Sequence, residues 1–193
     1  MGGIDTSDVL ELYRRALDEF GRRVHEVRPD QWGCPTPCRD WEVRALVNHL
    51  VAEQLWVPPL LAGSRVAEVG DALDGDQLGA DPVARWDSTV ASAYAALAAD
   101  GALDRTVHLS YGDRPAHEYA RELVFDLVVH SWDLARAIDG DEKVNPELVD
   151  AVYARIEPEA DSLAAGGAFD PPVPVPPDSD EQTKLIALTG RRP

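Results

Sequence analysis

Between Ser7 and Val27 the apolar residues Val9, Leu10, Tyr13, Ala16, Leu17, Phe20 and Val24 recur at spacings of three and four, and Arg14, Arg15, Asp18, Arg22 and Arg23 fill the opposite side. That pattern predicts an amphipathic first helix. RPDQWGCPTPC follows, with three prolines and a glycine, and should turn the chain. A second helix is predicted from Asp40 as N-cap, with Glu42 in its first turn, and should stop near Pro58-Pro59. After Ala45 it is apolar on most sides, as a central bundle helix is.

The stretch Gly63 to Asp81 is polar and glycine-rich, and reads as a loop holding at most one helical turn. Asp81 caps a third, alanine-rich helix that starts with Pro82 and ends before Gly101. RTVHLSYG alternates like a short strand, and GDRP should turn the chain, so the segment reads as hairpin-like. A fourth long helix is predicted from about Ala116 to Ile138 and a fifth from Asn145-Pro146-Glu147. FDPPVPVPPDSD suits an extended strap, and EQTKLIALTG a short closing helix. The pattern is all-α, without repeats. It predicts one domain over residues 1–193, with strap and closing helix from residue 170.

Charge narrows the partners. With 35 acidic and 18 basic residues the formal net charge is −17. Arg14-Arg15, Arg22-Arg23 and Arg191-Arg192 are scattered pairs and make no basic patch. Nucleic acid and anionic membrane are therefore not expected as partners. The N-terminus lacks the pattern of a signal peptide, and no run of 18 apolar residues exists to span a membrane. Cys34 and Cys38 are expected to be reduced, in a cytoplasmic protein.

Two histidines lie in apolar helical settings, His49 in ALVNHLVAEQLW and His130 in LVFDLVVHSWDL. Asp126, four residues before His130, shares its helical face. A carboxylate on an apolar face needs a partner, and a divalent metal taken by His49, Asp126 and His130 would supply one, as in helix-bundle metal sites. The spacing equally allows satisfied core histidines, with Asp126 paired to Arg121 or Arg136. His25, His108 and His117 read as surface residues. Cys34 and Cys38 read as small hydrophobes packing the connector, outside the bundle interior, although thiols are also zinc ligands. Glu53, one turn after His49, is a fourth ligand, a general base beside the metal or a solvated rim residue. Asp133 either orients a ligand or pairs on the surface with Arg136 or Lys143. Trp56 and Trp132 are placed to line a cavity.

TPCRDWEVRALVNHLVAEQLWVPPLL, DRTVHLSYGDRPAHEY, ELVFDLVVHSWDLARAI and LIALTGRRP resemble actinobacterial proteins of the DinB/YfiT-like metal-binding superfamily, near the metal-binding domain of mycothiol-dependent maleylpyruvate isomerase. The resemblance covers almost the whole chain. It implies a DinB-like four-helix bundle, running up-down-down-up, with zinc or nickel held by a histidine of the second helix and an acid-xxx-His pair of the last long helix. Carried over, these ligands are His49, Asp126 and His130. The isomerase has Glu at the position of Asp126, one methylene longer. This chain is too short to include the isomerase's C-terminal domain, so thiol-dependent chemistry is expected to transfer and maleylpyruvate as substrate is not.

Three protein ligands leave a coordination position open, as in catalytic sites. Together with the link to mycothiol that the resemblance implies, the expected function is a metal-dependent S-transferase that takes mycothiol or a related thiol and a small electrophile, with Glu53 as proton acceptor. A hydrolase of the same fold and a non-catalytic metal or small-ligand binding protein are the alternatives. A homodimer is compatible with either.

Overall fold

Tyr13, Ala16, Phe20 and Val24 have no exposed surface, as their common stripe requires once it faces a core. In the computed structural model, which describes residues 6–160 and 169–193, they lie on α1 (Thr6–Glu26). The chain continues through α2 (Val43–Leu61), the single-turn α3 (Val66–Val69) and α4 (Pro82–Leu97). A hairpin of β1 (Thr106–Leu109) and β2 (Gly112–Pro115) leads into α5 (Ala116–Ala137). Next come α6 (Pro146–Ile156) and α7 (Glu181–Leu188).

The helices α1, α2, α4 and α5 form a four-helix bundle of the DinB-like kind, in which α1 packs on α4 and α5, and α2 packs on the same two. One of these contacts is very close. A Cβ on Gly21 of α1 would lie 2.7 Å from the Trp86 indole nitrogen of α4. α6 and α7 pack on each other beside α1 and α5. Among the described residues no helix is long and apolar enough to cross a membrane.

Capping chemistry fixes several ends as the sequence suggests. Asp81 accepts from the Ala84 amide, Asn145 from Glu147 and Asp180 from Thr183, each satisfying an orphan helical donor.

Four expectations change. First, α2 begins at Val43 with Glu42 at its N-cap, and Asp40 instead sits in the left-handed region at φ 65°, which a short polar side chain tolerates. Second, α2 runs through Pro58 and Pro59 to Leu61, because Leu60 and Leu61 are buried and carry the last turn. Third, GDRP does not turn the chain. It is β2, paired antiparallel to β1, with the turn at Ser110-Tyr111. Fourth, Arg23 is fully buried rather than on a polar face. It donates to the Asp141 and Lys143 carbonyls and so ties α1 to the segment that follows α5.

Residues 170–176 run without helix or strand, the Val173 amide bonded to the Ala187 carbonyl, and a turn closed by the Ser179 amide on the Pro176 carbonyl leads into α7. After α7, Gly190 adopts φ 78°, and a Cβ there would lie 2.5 Å from the Asp170 Cβ. Only glycine fits such a close, left-handed position. It sets the path of the next residue, Arg191.

Candidate metal centre

The connector before α2 folds back on itself. The Thr36 amide bonds the Trp41 carbonyl, the Trp41 amide bonds the Cys38 carbonyl and the Val43 amide bonds the Cys34 carbonyl. The Thr36 hydroxyl also bonds the Trp41 carbonyl and accepts from the Cys38 amide. This small loop carries Cys38 and Trp41 to the second half of α5. The Leu61 carbonyl at the end of α2 accepts from Arg105, just before β1 and α5, while the start of α2 lies against the second half of α5, so α2 and α5 run antiparallel.

That arrangement sets His49 of α2 opposite Asp126 and His130, one turn apart on α5. His49 Nε2 lies 3.0 Å from Asp126 Oδ2, and His130 Nε2 lies 3.2 Å from Asp126 Oδ1. Each carboxylate oxygen thus serves one imidazole. The rings meet edge to face at 5.4 Å, and Trp41 packs on both at 5.0 and 6.0 Å. One donor atom from each of the three residues falls within 4.8 Å of the others. Two imidazole nitrogens and one carboxylate oxygen are a donor set that suits zinc or nickel, so the residues present fit a divalent ion.

Behind His130 stands a second layer. His130 Nδ1 is 2.8 Å from Asp133 Oδ2, which directs Nε2 toward Asp126. Asp133 is fully buried. It takes a forked pair from Arg191, at 2.8 Å from Nη2 and 3.2 Å from Nε. Arg191 Nη1 donates to the Thr189 carbonyl. The Cys38 thiol donates to Asp133 at 3.2 Å, and its sulfur lies 3.4 Å from Arg191 Nη2 and 3.7 Å from His130 Nδ1. Cys38, His130 and Asp133 form a second three-donor cluster. The guanidinium already neutralises Asp133 there, which disfavours a cation at that second position.

The charges follow from this geometry. Burial alone would raise Asp126, but His130 and His49 against it hold it below the usual carboxylate range. Burial would lower His130, and the Asp126 and Asp133 carboxylates together lift it well above its ordinary value. Burial raises Glu53, and the Asp126 carboxylate raises it further.

The triad lies in the wall of a cavity of about 830 Å³ that Cys38, Glu53, Trp56 and Arg191 also line. Glu53 does not gather with the triad's donor atoms within that 4.8 Å, so it faces the cavity beside the cluster rather than joining it. Trp132 does not line the cavity. Two residues past His130 it points about 200° around the helix, where it is buried under the Arg136 guanidinium, 4.2 Å from the ring centroid. Asp133 faces His130 and Arg191, not Arg136 or Lys143. Cys38 is likewise not outside the bundle interior, because the folded-back connector inserts it beside His130.

Trp41 and Arg191 do not stand out in the sequence as site residues, and Cys38 stands out only as a thiol, with the packing role preferred. Nothing local places Cys38 beside His130, 92 residues away. For Arg191 the one signal is the preceding glycine in LTGRRP, a backbone constraint placed next to a charge.

Comparison with known proteins follows this picture. A family model described as the mycothiol maleylpyruvate isomerase N-terminal domain matches residues 13–135, a range that includes all three residues of the triad. Two uncharacterized proteins of Mycobacterium tuberculosis, from strains CDC 1551 and H37Rv, are each 29% identical over 195 residues, covering 95% of this chain and 98% of theirs. The crystal structure of the mycothiol-dependent maleylpyruvate isomerase superposes with a TM-score of 0.61 at 15% identity, over 79% of this chain and 70% of that one. A histidine-to-alanine mutant of that isomerase gives 0.65 at 14% identity, over 86% and 73%. At these identities the two structures establish a shared fold.

Proposed function

The chain belongs to the mycothiol maleylpyruvate isomerase N-terminal domain family, and from that premise we propose that it is a metal-dependent S-transferase joining a small thiol of the mycothiol type to a small electrophile. The observation that carries this reading is the convergence of His49, Asp126 and His130 on one another in the wall of an open cavity. His49, Asp126 and His130 would hold a zinc or nickel ion. When bound, the ion supplies Lewis acidity, which favours the ionised form of a coordinating thiol.

The chain's own residues supply the rest. Asp133 keeps His130 Nδ1 engaged, so that Nε2 is the free ligand atom. Asp126 is the single anionic donor of the three, so the site keeps net positive charge and attracts an anionic sulfur. Trp41 covers both imidazoles and limits the water that reaches them. Glu53, raised by burial and by Asp126, accepts the proton that the thiol gives up. The sulfur then forms a bond to the electrophilic carbon, and that carbon's leaving group departs with its electron pair.

Calorimetric titration with mycothiol is the test. Metal-loaded protein is expected to bind it, with affinity rising with pH until the ligand's own thiol is fully ionised, and metal-free protein is not. Equal binding to both forms, or to neither, would overturn the thiol reading in favour of hydrolysis or ligand storage. In Glu53→Gln, conjugation should fall by about 10²–10⁴-fold while metal content stays unchanged. An unchanged rate would remove Glu53 from the chemistry.

A further inference from the structure

The cavity extends past the triad. Glu53 follows His49 by four residues on α2, and Glu122 precedes Asp126 by four on α5. Because these helices run antiparallel, the register that sets His49 opposite Asp126 also brings Glu53 and Glu122 to one level, about 6 Å further along. Both line the cavity, with Trp56, Tyr111 and Tyr119 around them. Arg121, next to Glu122 in sequence, is committed to Glu118, as is Arg155. Glu122 accepts from the Tyr111 hydroxyl, and Arg114 stacks over the Tyr111 ring at 5.6 Å. Among the described residues no lysine or arginine pairs with either Glu53 or Glu122.

The same end of the cavity holds a buried hydroxyl. Tyr119 is 4% exposed and lines the cavity, and its hydroxyl has no hydrogen-bond partner. A buried hydroxyl without a partner is costly to a fold. Burial and the negative charge of Glu53 raise Tyr119 well above the usual phenol range, so it remains a neutral hydroxyl whose oxygen can accept a hydrogen bond.

We propose that this end of the cavity is a subsite for a positively charged amine, an alkyl- or arylalkylammonium group held between Glu53 and Glu122 and bonded to the Tyr119 hydroxyl. Two carboxylates supply charge, Tyr119 an acceptor, and the faces of Trp56 and Tyr111 the quadrupole that attracts a cation. The amine lies one to two helical turns from the triad, so one molecule can reach both. That the amine belongs to a substrate rests on the proposed thiol chemistry. The subsite itself does not.

Phenethylammonium, phenethyl alcohol and hydrocinnamate share a ring and differ in charge. Calorimetry with metal-free and with metal-loaded protein should give phenethylammonium about tenfold tighter than the alcohol in both forms, with hydrocinnamate weakest. In Glu122→Gln the preference should collapse. In Tyr119→Phe the ammonium should bind several-fold more weakly while circular dichroism and metal content are unchanged. The chain's net charge of −17 attracts any cation diffusely, but that attraction would survive Glu122→Gln. A preference that persists in Glu122→Gln, or equal binding of ammonium and alcohol, or no binding of either, would overturn the subsite. An amine preference without mycothiol binding would leave the subsite standing and remove the thiol reading. Mycothiol binding without an amine preference would do the reverse.

Discussion

Asp133 touches no ligand position, yet it sets the direction of His130 and receives Arg191. Replacing it with Asn keeps the shape, removes the charge and leaves the guanidinium unpaired. Metal affinity in Asp133→Asn should fall by about 10–100-fold, measured by competition with a chelator, and an unchanged affinity would reduce Asp133 to a packing residue. The two coupled ligands also set a pH dependence. A metal must displace the proton that the raised His130 holds, so apparent affinity should rise with pH until His130 is deprotonated. In metal-free protein, His130 stabilises the fold fully below its unfolded value of about 6.5, and that contribution is lost as pH climbs through its raised folded value. Asp126, lowered in the fold, contributes above its unfolded value of about 3.9 and is lost as pH falls through its depressed value. The melting temperature of metal-free protein should therefore decline on the alkaline side, and bound metal should abolish that decline. Thermal scans across pH, with and without metal, check both.

At the scale of elements, the C-terminal segment does more than close the bundle. α7 and Gly190 deliver Arg191 to Asp133, so the C-terminal segment supplies the residue that braces the candidate site from behind. Gly190→Ala puts a Cβ against Asp170 and a side chain on a left-handed backbone. It should cost about 1–2 kcal/mol, read by urea denaturation, and should weaken metal binding with it. A destabilised protein with full metal affinity would separate the tail from the site. The sequence made the helices legible through stripes of period three and four and through caps such as Asp81 and Asn145. It also made His49, Asp126 and His130 legible, because a polar residue on an apolar face is conspicuous and a spacing of four is local. Asp40 was misread as a cap because the left-handed turn that displaces it is closed by bonds between Thr36, Cys38 and Trp41. Trp132 was misread because its aromaticity says nothing about the direction it faces. Cys38 was legible as a thiol but not as a neighbour of His130, and Arg191 was not legible at all. They reach Asp133 from 95 and 58 residues away, and only tertiary packing makes those contacts.

At the scale of the whole molecule, the two ends of the cavity differ in how their charges are paired. Arg39 and Arg191, near Cys38 and His130, are paired to Asp170 and Asp133, while Glu53 and Glu122 line the other side with no arginine or lysine partner among the described residues. The triad lies between them. Asp126 should bind little without its histidines, and the second cluster around Cys38 is already neutralised by Arg191. One set of donors is expected to govern metal occupancy of the chain. Elemental analysis of the purified protein beside its His49→Ala/His130→Ala variant is the direct measurement. The native chain should carry a single equivalent of zinc or nickel and the double variant essentially none, with Cys34→Ser unchanged from the native chain. Full metal content in the folded double variant would contradict the assignment.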